Sequence, residues 1–458
     1  MTTTTLKRTA WALALVLGCS STDDGGGGGT GGGTGGSGGG TGGTGGGPAV
    51  ECDGNCHYVR ADADEGGDGA TWASALTELP DPLERGQIYY LADGDYPGRD
   101  FAAPEQGDSP IYLFKATESH HGTDEGWQPA YGDETAQLGP ITFSTSHWSL
   151  DGLMGSGKGG YGFTIRSGDC AGQVKLIRLE EGVSDITVRH VDLGLCGDVN
   201  EGQDIIYGAA GASDITVARS YLHDVARCPF LMRGWQDVVI EHNVIENAGN
   251  SHGIHMEGIS DIDSQNVTVR HNLWENIAGT GIIILGDVSG YAIYGNVFLV
   301  TDPSFTIGGN GAIGTWTGNF ANDTVIYNNS FVGIVGLNAG IFMDSGTGNE
   351  AYNNLWYDCA ANQIGLGNVD HDYNWFAENW RVDHEPHIDL DEDLAASEPN
   401  GQLGGGDPFV DRDGGNWHLA APTEPGRELG APYDTDPSGE PRGQDGTWDR
   451  GAFEQVSP

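Results

Sequence analysis

A segment in which apolar and polar residues alternate recurs along the chain. It occupies residues 184–193 and returns at residues 213–222, 236–245 and 265–274. Looser copies follow at spacings between 20 and 33 residues, each centred on an asparagine that precedes apolar or aromatic residues: Asn296, Asn329, Asn354 and Asn374. A period of two is the pattern of a β-strand, and repeats of this length indicate a solenoid of stacked coils. The sequence therefore predicts an all-β solenoid.

A second apolar segment follows the first within several coils. Its copies lie at residues 230–234, 253–258, 281–286 and 340–344. Aligning them predicts two inward columns, Ile254, Ile282 and Ile341, and Met232, Met256, Ile284 and Met343. Strand alternation turns the intervening residues toward solvent. In this alignment His255 and Glu257 face outward, one coil after Arg233.

The repeats divide the chain into a folded body and flanking segments. A strand near His57, a short helical pattern at 71–79 and a strand at 88–92 suggest a cover for the open end of the solenoid. The C-terminal region loses the repeat and is rich in Asp, Glu, Pro and Gly. We predict a signal peptide at residues 1–19 and a tether at 20–48. An N-terminal cap with the first strands follows at 49–109, the solenoid at 110–376, and an irregular tail packed on the last coils at 377–458.

The N-terminus has the pattern of an exported lipoprotein. Lys7 and Arg8 precede an apolar stretch that is too short to cross a bilayer, and residues 16–19 read Val-Leu-Gly-Cys, which resembles the bacterial lipobox. Lipidation of Cys19 followed by Ser20 predicts an outer-membrane or cell-surface location, whereas a chance cysteine would leave an ordinary signal peptide. The Gly-rich residues 25–47 then form a flexible tether with a span of about 25–29 Å.

The charge of the chain limits its partners. There are 20 Lys and Arg residues against 66 Asp and Glu residues, which gives a formal net charge of −46. Nucleic acids require clustered Lys and Arg, so they are excluded. Polyanionic polysaccharides are also disfavoured unless a bound cation intervenes. We expect a monomer whose only membrane contact is its lipid anchor.

Six cysteines remain for an oxidising compartment after Cys19 is lipidated. Cys52 and Cys56 can close a small loop. Cys170 and Cys196 lie about one coil apart and suit a bridge between neighbouring coils, with Cys196 to Cys228 as a competing pair. Cys228 and Cys359 are several coils apart and too distant to bond.

Three parts of the chain together resemble one fold family. They are the asparagine-centred segment, as in residues 271–276, an early segment at 147–153, and closing segments at residues 407–410, 417–419, 436–442 and 451–454. The chain is similar, over about residues 57–454, to the right-handed parallel β-helix superfamily with the pectin-lyase-like fold. The resemblance implies a right-handed parallel β-helix, and members of known activity mostly cleave or bind polysaccharides.

The resemblance does not extend to a known set of catalytic residues. Lyases of this fold place acidic calcium ligands and an Arg or Lys base on one outward sheet. Residues 253–259 match the phrase of alginate- and chondroitin-cleaving lyases only loosely, and the lysine expected in a following coil is absent. After Cys19 the chain contains three lysines, Lys115, Lys158 and Lys175.

The coil at 252–257 differs most from its neighbours in the alignment. His255 and Glu257 occupy positions that are apolar or basic in adjacent coils, and His252 precedes them. With His223, Arg227 and Arg233 they predict a catalytic cluster of His255, Glu257, Arg227 and His223, and substrate contacts from Arg233 and His252. Such a set can bind a divalent metal or abstract a sugar proton. The alternative is a cross-coil ion pair between Glu257 and Arg233.

A second column aligns His223, Glu246 and Glu275. Two stacked glutamates repel unless a cation intervenes, which makes Glu246 and Glu275 candidate ligands for Ca²⁺ or another divalent cation. The alternative is that both side chains turn into solvent. The neighbouring Asp224, Asn247 and Asn276 column and the column of repeat asparagines are interpreted as structural amide ladders.

Two weaker signals complete the candidates. Asp192, Asp198 and Asp204 can supply the paired carboxylates of an inverting hydrolase. Trp274, Trp316 and Trp356 are either sugar-stacking platforms or packing residues. The sequence therefore predicts a surface enzyme acting on polysaccharide by lyase or hydrolase chemistry, with a non-catalytic carbohydrate-binding or adhesion protein as the alternative.

Overall fold

Alternating apolar residues build three parallel sheets that wind around a common core in this computed structural model. The structure describes the following residues: 52–168, 172–196, 203–249, 257–305, 312–316, 318–334, 340–343, 345–359, 368–377 and 398–455. The predicted signal peptide, Cys19 and the tether lie outside them. Within the described residues, no helix is both long and apolar enough to cross a membrane.

Sheet 1 contains the repeated segment itself. Its strands follow one another along the sheet in the order of the sequence: Cys56–Val59, Ile88–Leu91, Ile111–Lys115, Trp148–Asp151, Ser184–Arg189, Ser213–Ala218, Gln236–Glu241, Gln265–Arg270, Ala292–Tyr294, Val325–Tyr327, Asn349–Tyr352 and Val369–Asp372. Two short strands pair beside this path: Asp287–Ser289 and Phe320–Asn322.

Sheets 2 and 3 complete each coil. The strands of sheet 2 are Arg99–Phe101, Ile141–Phe143, Lys175–Leu179, Asp204–Gly208, Cys228–Arg233, Ile259–Ile262, Ile282–Leu285, Ile313–Thr315 and Ile341–Phe342. The strands of sheet 3 are Gly94–Tyr96, Ala136–Leu138, Phe163–Ile165, Val191–Gly194, Tyr221–Val225, Val244–Ala248, Leu273–Ile277, Val297–Leu299, Ser330–Val332, Leu355–Tyr357, Trp375–Ala377 and Gln402–Gly404. Three-residue 3₁₀ turns occur at Trp72–Ser74, Pro129–Tyr131 and Pro303–Phe305.

Stacking of equivalent side chains forms the core. In sheet 1, Ile186, Ile215, Val238 and Val267 lie in register on successive strands and are buried. In sheet 3 the inward column is aromatic, with ring centroids 4.7–5.9 Å apart from one coil to the next: Trp274, Phe298, Phe331, Trp356 and Phe376. The all-β solenoid prediction is confirmed, and burial of these columns is what holds the coils together.

The asparagine column is the structural ladder that its spacing predicts. Asn243, Asn272, Asn296, Asn329, Asn354 and Asn374 are all buried. Each backbone N–H from Asn243 to Asn354 donates to the side-chain oxygen of the next asparagine at 2.8–3.0 Å. Glu398 ends the ladder by accepting from the Asn374 backbone and side chain. The ladder satisfies backbone donors at a bend, where burial would otherwise leave them unpaired.

The column of Asp224, Asn247 and Asn276 is also structural. All three residues have a positive φ, between 53° and 56°, a conformation that Asn and Asp tolerate better than other non-glycine residues. Asn247 donates to Asp224 at 3.2 Å, and Asn276 donates to Asn247 at 3.4 Å.

The two ends of the solenoid have their own features. Cys56–Val59 and Ile88–Leu91, which lie in the region predicted as the cap and first strands, pair in parallel in sheet 1. Cys52 and Cys56 form the predicted disulfide. In the tail, Phe409–Asp411 and Asn416–Leu419 form an antiparallel hairpin, and Tyr433 packs edge-on against Tyr294 and Tyr327 of sheet 1.

The predicted alignment of the second segment is wrong. Phe230 pairs with Ile259, and Ile259 pairs with Ile282, so Ile259 takes the place predicted for Ile254. In the same way Asp261, rather than Met256, stands between Met232 and Ile284. Asp261 places a carboxyl group in an inward column where the pattern predicts an apolar residue. The sequence alignment therefore matches the apolar residues Ile254 and Met256, which lie five positions earlier than Ile259 and Asp261.

Candidate functional site

The outer face of sheet 3 carries two columns of polar side chains. One column contains Asp192 and Tyr221, and the other contains His223, Glu246 and Glu275, in register on successive strands. These residues point outward because the alternate residues of the same strands fill the core. The column predicted from the sequence is therefore formed as expected, and we call this surface the polar face.

Glu246 and Glu275 share one cation, the ammonium group of Lys158. Lys158 Nζ lies 2.8 Å from Glu246 Oε1 and 2.8 Å from Glu275 Oε2. The remaining oxygens accept hydrogen bonds from hydroxyl groups, Glu246 Oε2 from Tyr221 at 2.5 Å and Glu275 Oε1 from Thr301 at 3.0 Å. The pKa of Lys158 is raised, because attraction by both carboxylates outweighs its partial burial.

His223 lies beside this pair and is held by two aspartates. Its Nε2 lies 2.9 Å from Asp192 Oδ1, and its Nδ1 lies 2.8 Å from Asp224 Oδ2. Burial alone would lower the pKa of His223, but the two aspartates outweigh burial and raise the pKa to about 8. Arg166 Nη2 contacts Asp192 at 2.8 Å, and burial of Asp192 is outweighed by His223 and Arg166, which lower its pKa. The imidazole is therefore mainly protonated at neutral pH.

Close packing fixes the orientation of the His223 ring. The ring stacks on Tyr221 with centroids 4.2 Å apart. On the preceding coil the equivalent position is Gly194, where an added Cβ would lie 2.5 Å from the imidazole. Glycine at this position therefore makes room for His223 to reach Asp192.

A cleft of about 580 Å³ opens beside the polar face. Its walls come from Lys158, Glu275 and Thr301 on one side and from the C-terminal hairpin, including Arg412 and Trp417, on the other. This volume falls in the range of ligand pockets, about 300–1,000 Å³. The cleft is lined by charges of both signs and by the aromatic Trp417, which is a chemistry suited to a polyhydroxylated ligand.

The described members of the predicted catalytic cluster have the following partners. His223 lies on the polar face, whereas Arg227 follows it at the start of sheet 2 and forms an ion pair with the fully buried Asp204, which Lys175 also contacts. Glu257 is buried and accepts a hydrogen bond from the Cys228 thiol at 3.5 Å. Arg233 is in register with Ile262, so the predicted alignment with Glu257 is wrong. His252 and His255 lie outside the described residues.

Two further cysteine predictions concern Cys196. Cys196 is disulfide-bonded, and the predicted partner, Cys170, lies outside the described residues. Cys228 and Cys359 are buried thiols, so the competing bridge between Cys196 and Cys228 is wrong.

The residues of the polar face do not fit a calcium site as they are arranged. All four carboxylate oxygens of Glu246 and Glu275 already have a donor, and the cation between them is Lys158. Over the part of the chain that the structure describes, no group of three or more His, Cys, Asp or Glu side chains is placed to hold a metal ion.

The remaining candidates divide between the core and the surface. Trp274 and Trp356 are buried in the aromatic column of the core, whereas Trp316 remains 41% exposed. Asp204 is buried in its ion pairs, Asp192 belongs to the polar face, and Asp198 lies outside the described residues.

Sequence reasoning missed Lys158, Tyr221 and Arg166. Lys158 precedes its partners by 88 and 117 residues, and no repeat pattern connects a loop to distant strands. The scarcity of lysine was a usable signal, because each of the three lysines after Cys19 needs carboxylate partners in so acidic a chain.

Comparison with known proteins agrees with this architecture. Residues 156–298 match the family described as the right handed beta helix region. The chain is a right-handed parallel β-helix protein. The fold that the resemblance to the pectin-lyase-like superfamily implies is therefore confirmed, and the matched residues include Lys158, His223, Glu246 and Glu275.

Several solved structures are similar to this chain at low identity. Pectate lyase Pel9A is 12% identical, with 88% of this chain and 96% of that chain covered and a TM-score of 0.36. The GH136 lacto-N-biosidase from Eubacterium ramulus is 12% identical, with 76% and 67% covered and a TM-score of 0.43. An alginate lyase from Paenibacillus sp. is 13% identical, with 70% and 98% covered and a TM-score of 0.29. No curated protein matches the sequence. At these identities and scores, no activity follows for this chain.

Proposed function

We propose that the protein hydrolyses glycosidic bonds of a polysaccharide, with Glu246 and Glu275 as its pair of reacting carboxyl groups. The observation that carries the proposal is the placement of the two glutamates in register on adjacent coils, with Glu275 in the wall of a cleft large enough for a sugar segment. Paired carboxyl groups are what glycoside hydrolysis requires.

The spacing of the pair favours a retaining mechanism. One oxygen of each glutamate lies 2.8 Å from Lys158 Nζ, so these two oxygens are no farther apart than twice that distance. Retaining hydrolases have carboxyl groups about 5–5.5 Å apart, whereas inverting enzymes need about 6.5–9.5 Å. In this mechanism one member of the pair is protonated and donates its proton to the leaving oxygen, while the other carboxylate attacks the anomeric carbon; the glycosidic bond breaks and a glycosyl–enzyme ester forms. Water then displaces the sugar from the ester and gives its proton to the first residue, which restores the pair. Tyr221 and Thr301 hold the two side chains in place.

Lyase chemistry is less well supported at this face. Abstraction of a sugar proton needs an unprotonated base, and the pKa of His223, raised to about 8, keeps the imidazole charged at neutral pH. A lyase substrate also carries uronate groups, which a chain with a net charge of −46 repels.

The location belongs to the same proposal. The signal-peptide-like N-terminus, the lipobox-like Cys19 and the Gly-rich tether support an extracytoplasmic protein anchored by lipid to an outer membrane or cell surface. Labelling of cells with a radioactive or clickable fatty acid should mark the wild type and leave the Cys19→Ala variant unmarked. Unchanged labelling of the variant would contradict the anchor.

The activity is tested with a polysaccharide panel, with and without EDTA. Release of reducing ends reports hydrolysis, and ultraviolet absorbance of unsaturated uronate reports elimination. We expect reducing ends from at least one glycan, and loss of that signal in Glu246→Gln and Glu275→Gln. Glu241→Gln is the matched control, because Glu241 also pairs with a cation across coils, Arg270, but lies on sheet 1. Binding without release across the panel would contradict hydrolysis and favour a carbohydrate-binding or adhesion protein.

A further inference from the structure

Glu275 in the cleft wall and its neighbour Glu246 already hold an ammonium group. Lys158 Nζ lies at hydrogen-bonding distance from both Glu246 and Glu275. The other oxygen of each glutamate is occupied by a hydroxyl donor. The space between the two side chains therefore has the charge and the geometry of a receptor for one R–NH₃⁺ group.

Lys158 is placed so that another ammonium can exchange with it. It lies on a tight turn between Ser156 and Gly159, and its side chain is 45% exposed. The backbone of the turn is held in place, because the Tyr161 hydroxyl donates to the Gly157 carbonyl at 2.8 Å. The aliphatic stem can therefore swing into solvent while the turn stays in place. Replacing one ammonium by another leaves the charge between the glutamates unchanged, so neither carboxylate is left buried without a partner.

The other two lysines of the described residues do not share this setting. Lys115 is fully buried and pairs with Asp93 at 2.6 Å. Lys175 is 18% exposed and pairs with the fully buried Asp204. Both hold internal carboxylates, whereas Lys158 stands at the wall of a cleft.

The net charge of the chain points to the same class of ligand. At −46, the field of the protein concentrates cationic polymers near its surface and repels polyanions. The exchangeable ammonium beside the cleft and the negative net charge of the chain both favour a cationic ligand.

We propose that the cleft takes a glycan with free amino groups, of the 2-amino-2-deoxy sugar class, and that a sugar ammonium displaces Lys158 from Glu246 and Glu275. This inference rests on the proposed function for the position of the site. An N-acetylated sugar is neutral and cannot replace the lysine, and a uronate is repelled. Lys158 acts as an internal stand-in that keeps the pair neutralised until the substrate arrives.

The test is isothermal titration calorimetry of the full chain with oligosaccharides of equal length. We use deacetylated chitosan oligomers, fully N-acetylated oligomers, and galacturonate oligomers as probes. We expect the amino oligomers to bind at least tenfold tighter than the acetylated ones, with affinity that falls as salt rises. Equal affinity for amino and acetylated oligomers, or preference for galacturonate, would overturn the proposal.

Variants separate displacement from simple contact. Lys158→Met removes the competing ammonium but keeps the length of the side chain, so amino oligomers should bind several-fold tighter than to wild type. Weaker binding by Lys158→Met would show that the lysine contacts the ligand, and displacement would be wrong. Glu275→Gln should lose tenfold or more in affinity, and Glu241→Gln should change nothing. Thermal melts identify any variant that has not folded, and Glu246→Gln provides an independent second test of the pair.

Turnover distinguishes this inference from the proposed function. Tight binding of amino oligomers without release of reducing ends would contradict hydrolysis and support the ligand class. Release of reducing ends from neutral glycans, without any preference for amino sugars, would support hydrolysis and overturn the ligand class.

Discussion

The outer face of sheet 3 has two halves that share one backbone geometry and differ in chemistry. A single column of positions runs through His223, Glu246 and Glu275 and continues into Leu299, Val332 and Tyr357. The first half meets a loop that carries a lysine. The second half packs under the C-terminal hairpin, where Phe409, Trp417 and Leu419 bury Leu299 and Val332.

The difference shows that the coil determines which side chains point outward. The segment that covers them determines whether they form a site or a packing interface. Both halves point outward by the same alternation, so strand geometry alone cannot tell a site from an interface. Where a hairpin covers the sheet, apolar residues are buried and contribute to stability. Where only a loop touches it, polar residues stay partly accessible, and the cleft lies at the boundary of the two.

The largest expected effect lies on the polar half. Glu275→Gln should lower turnover of a cleaved glycan by about 10²–10⁴-fold, because a positioned proton donor or acceptor is lost. Its unfolding free energy should change by no more than about 1 kcal/mol, since pairs at a partly exposed surface contribute little. Initial rates and chemical denaturation measure the two. If Glu275→Gln lost much stability but kept full activity, Glu275 would be a structural residue and the polar half would not be the active site.

The opposite result is expected on the covered half. Trp417→Ala removes a nearly buried indole that packs against Phe409, with ring centroids 5.3 Å apart. Unfolding free energy should fall by about 3–5 kcal/mol, as for other buried tryptophans replaced by alanine. The denaturation midpoint reports this loss, and Glu241→Gln serves as the surface control. A stable Trp417→Ala variant would mean that the hairpin does not hold this half.

A third test compares the outward carboxylates with one inside the solenoid. Asp261 is fully buried, and burial raises its pKa to about 7, although hydrogen bonds from Ser264 and Tyr291 oppose the rise. The folded state thus binds a proton that the unfolded chain releases near pH 4. The stability that protonated Asp261 contributes is fully present below that pH and is lost as the pH rises through about 7.

Asp261→Asn should remove this dependence. The expected gain over wild type at pH 8 is a few kcal/mol, since each unit of pKa shift corresponds to about 1.4 kcal/mol. Denaturation from pH 4 to pH 8 checks it, and Glu275→Gln is the outward control. A wild-type stability that stays constant over this range would contradict a buried, protonated Asp261.

The smallest effect concerns His223. Nuclear magnetic resonance should place the midpoint of its imidazole titration near 8. Because the folded-state pKa is raised, the stabilisation by His223 is complete below about pH 6.5 and disappears as pH passes 8; it amounts to about 1–2 kcal/mol. Asp192→Asn should move the midpoint toward 6.5, whereas Asp185→Asn, beside His147 on sheet 1, should not. A midpoint unaffected by Asp192→Asn would mean that this pair does not form in solution.

Prediction from sequence succeeded where one residue type repeats at one position. The repeat asparagines, the aliphatic columns and the register of Glu246 with Glu275 follow from local alternation. The second segment failed because Asp261 broke the apolar pattern. That error aligns His255 and Glu257 with Leu231 and Arg233, whereas the structure pairs those two residues with Ser260 and Ile262.

The sequence by itself determined the coils, their registers at the asparagine bend and the acidic character of the surface, because each depends on neighbours in the chain or on a sum over it. Only the tertiary structure decided which outward positions form a site. Lys158 meets Glu246 and Glu275 across 88 and 117 residues, and the hairpin at Trp417 closes the cleft from the far end of the chain. Such contacts depend on how separate segments pack on the finished solenoid, and no local pattern of residues encodes them.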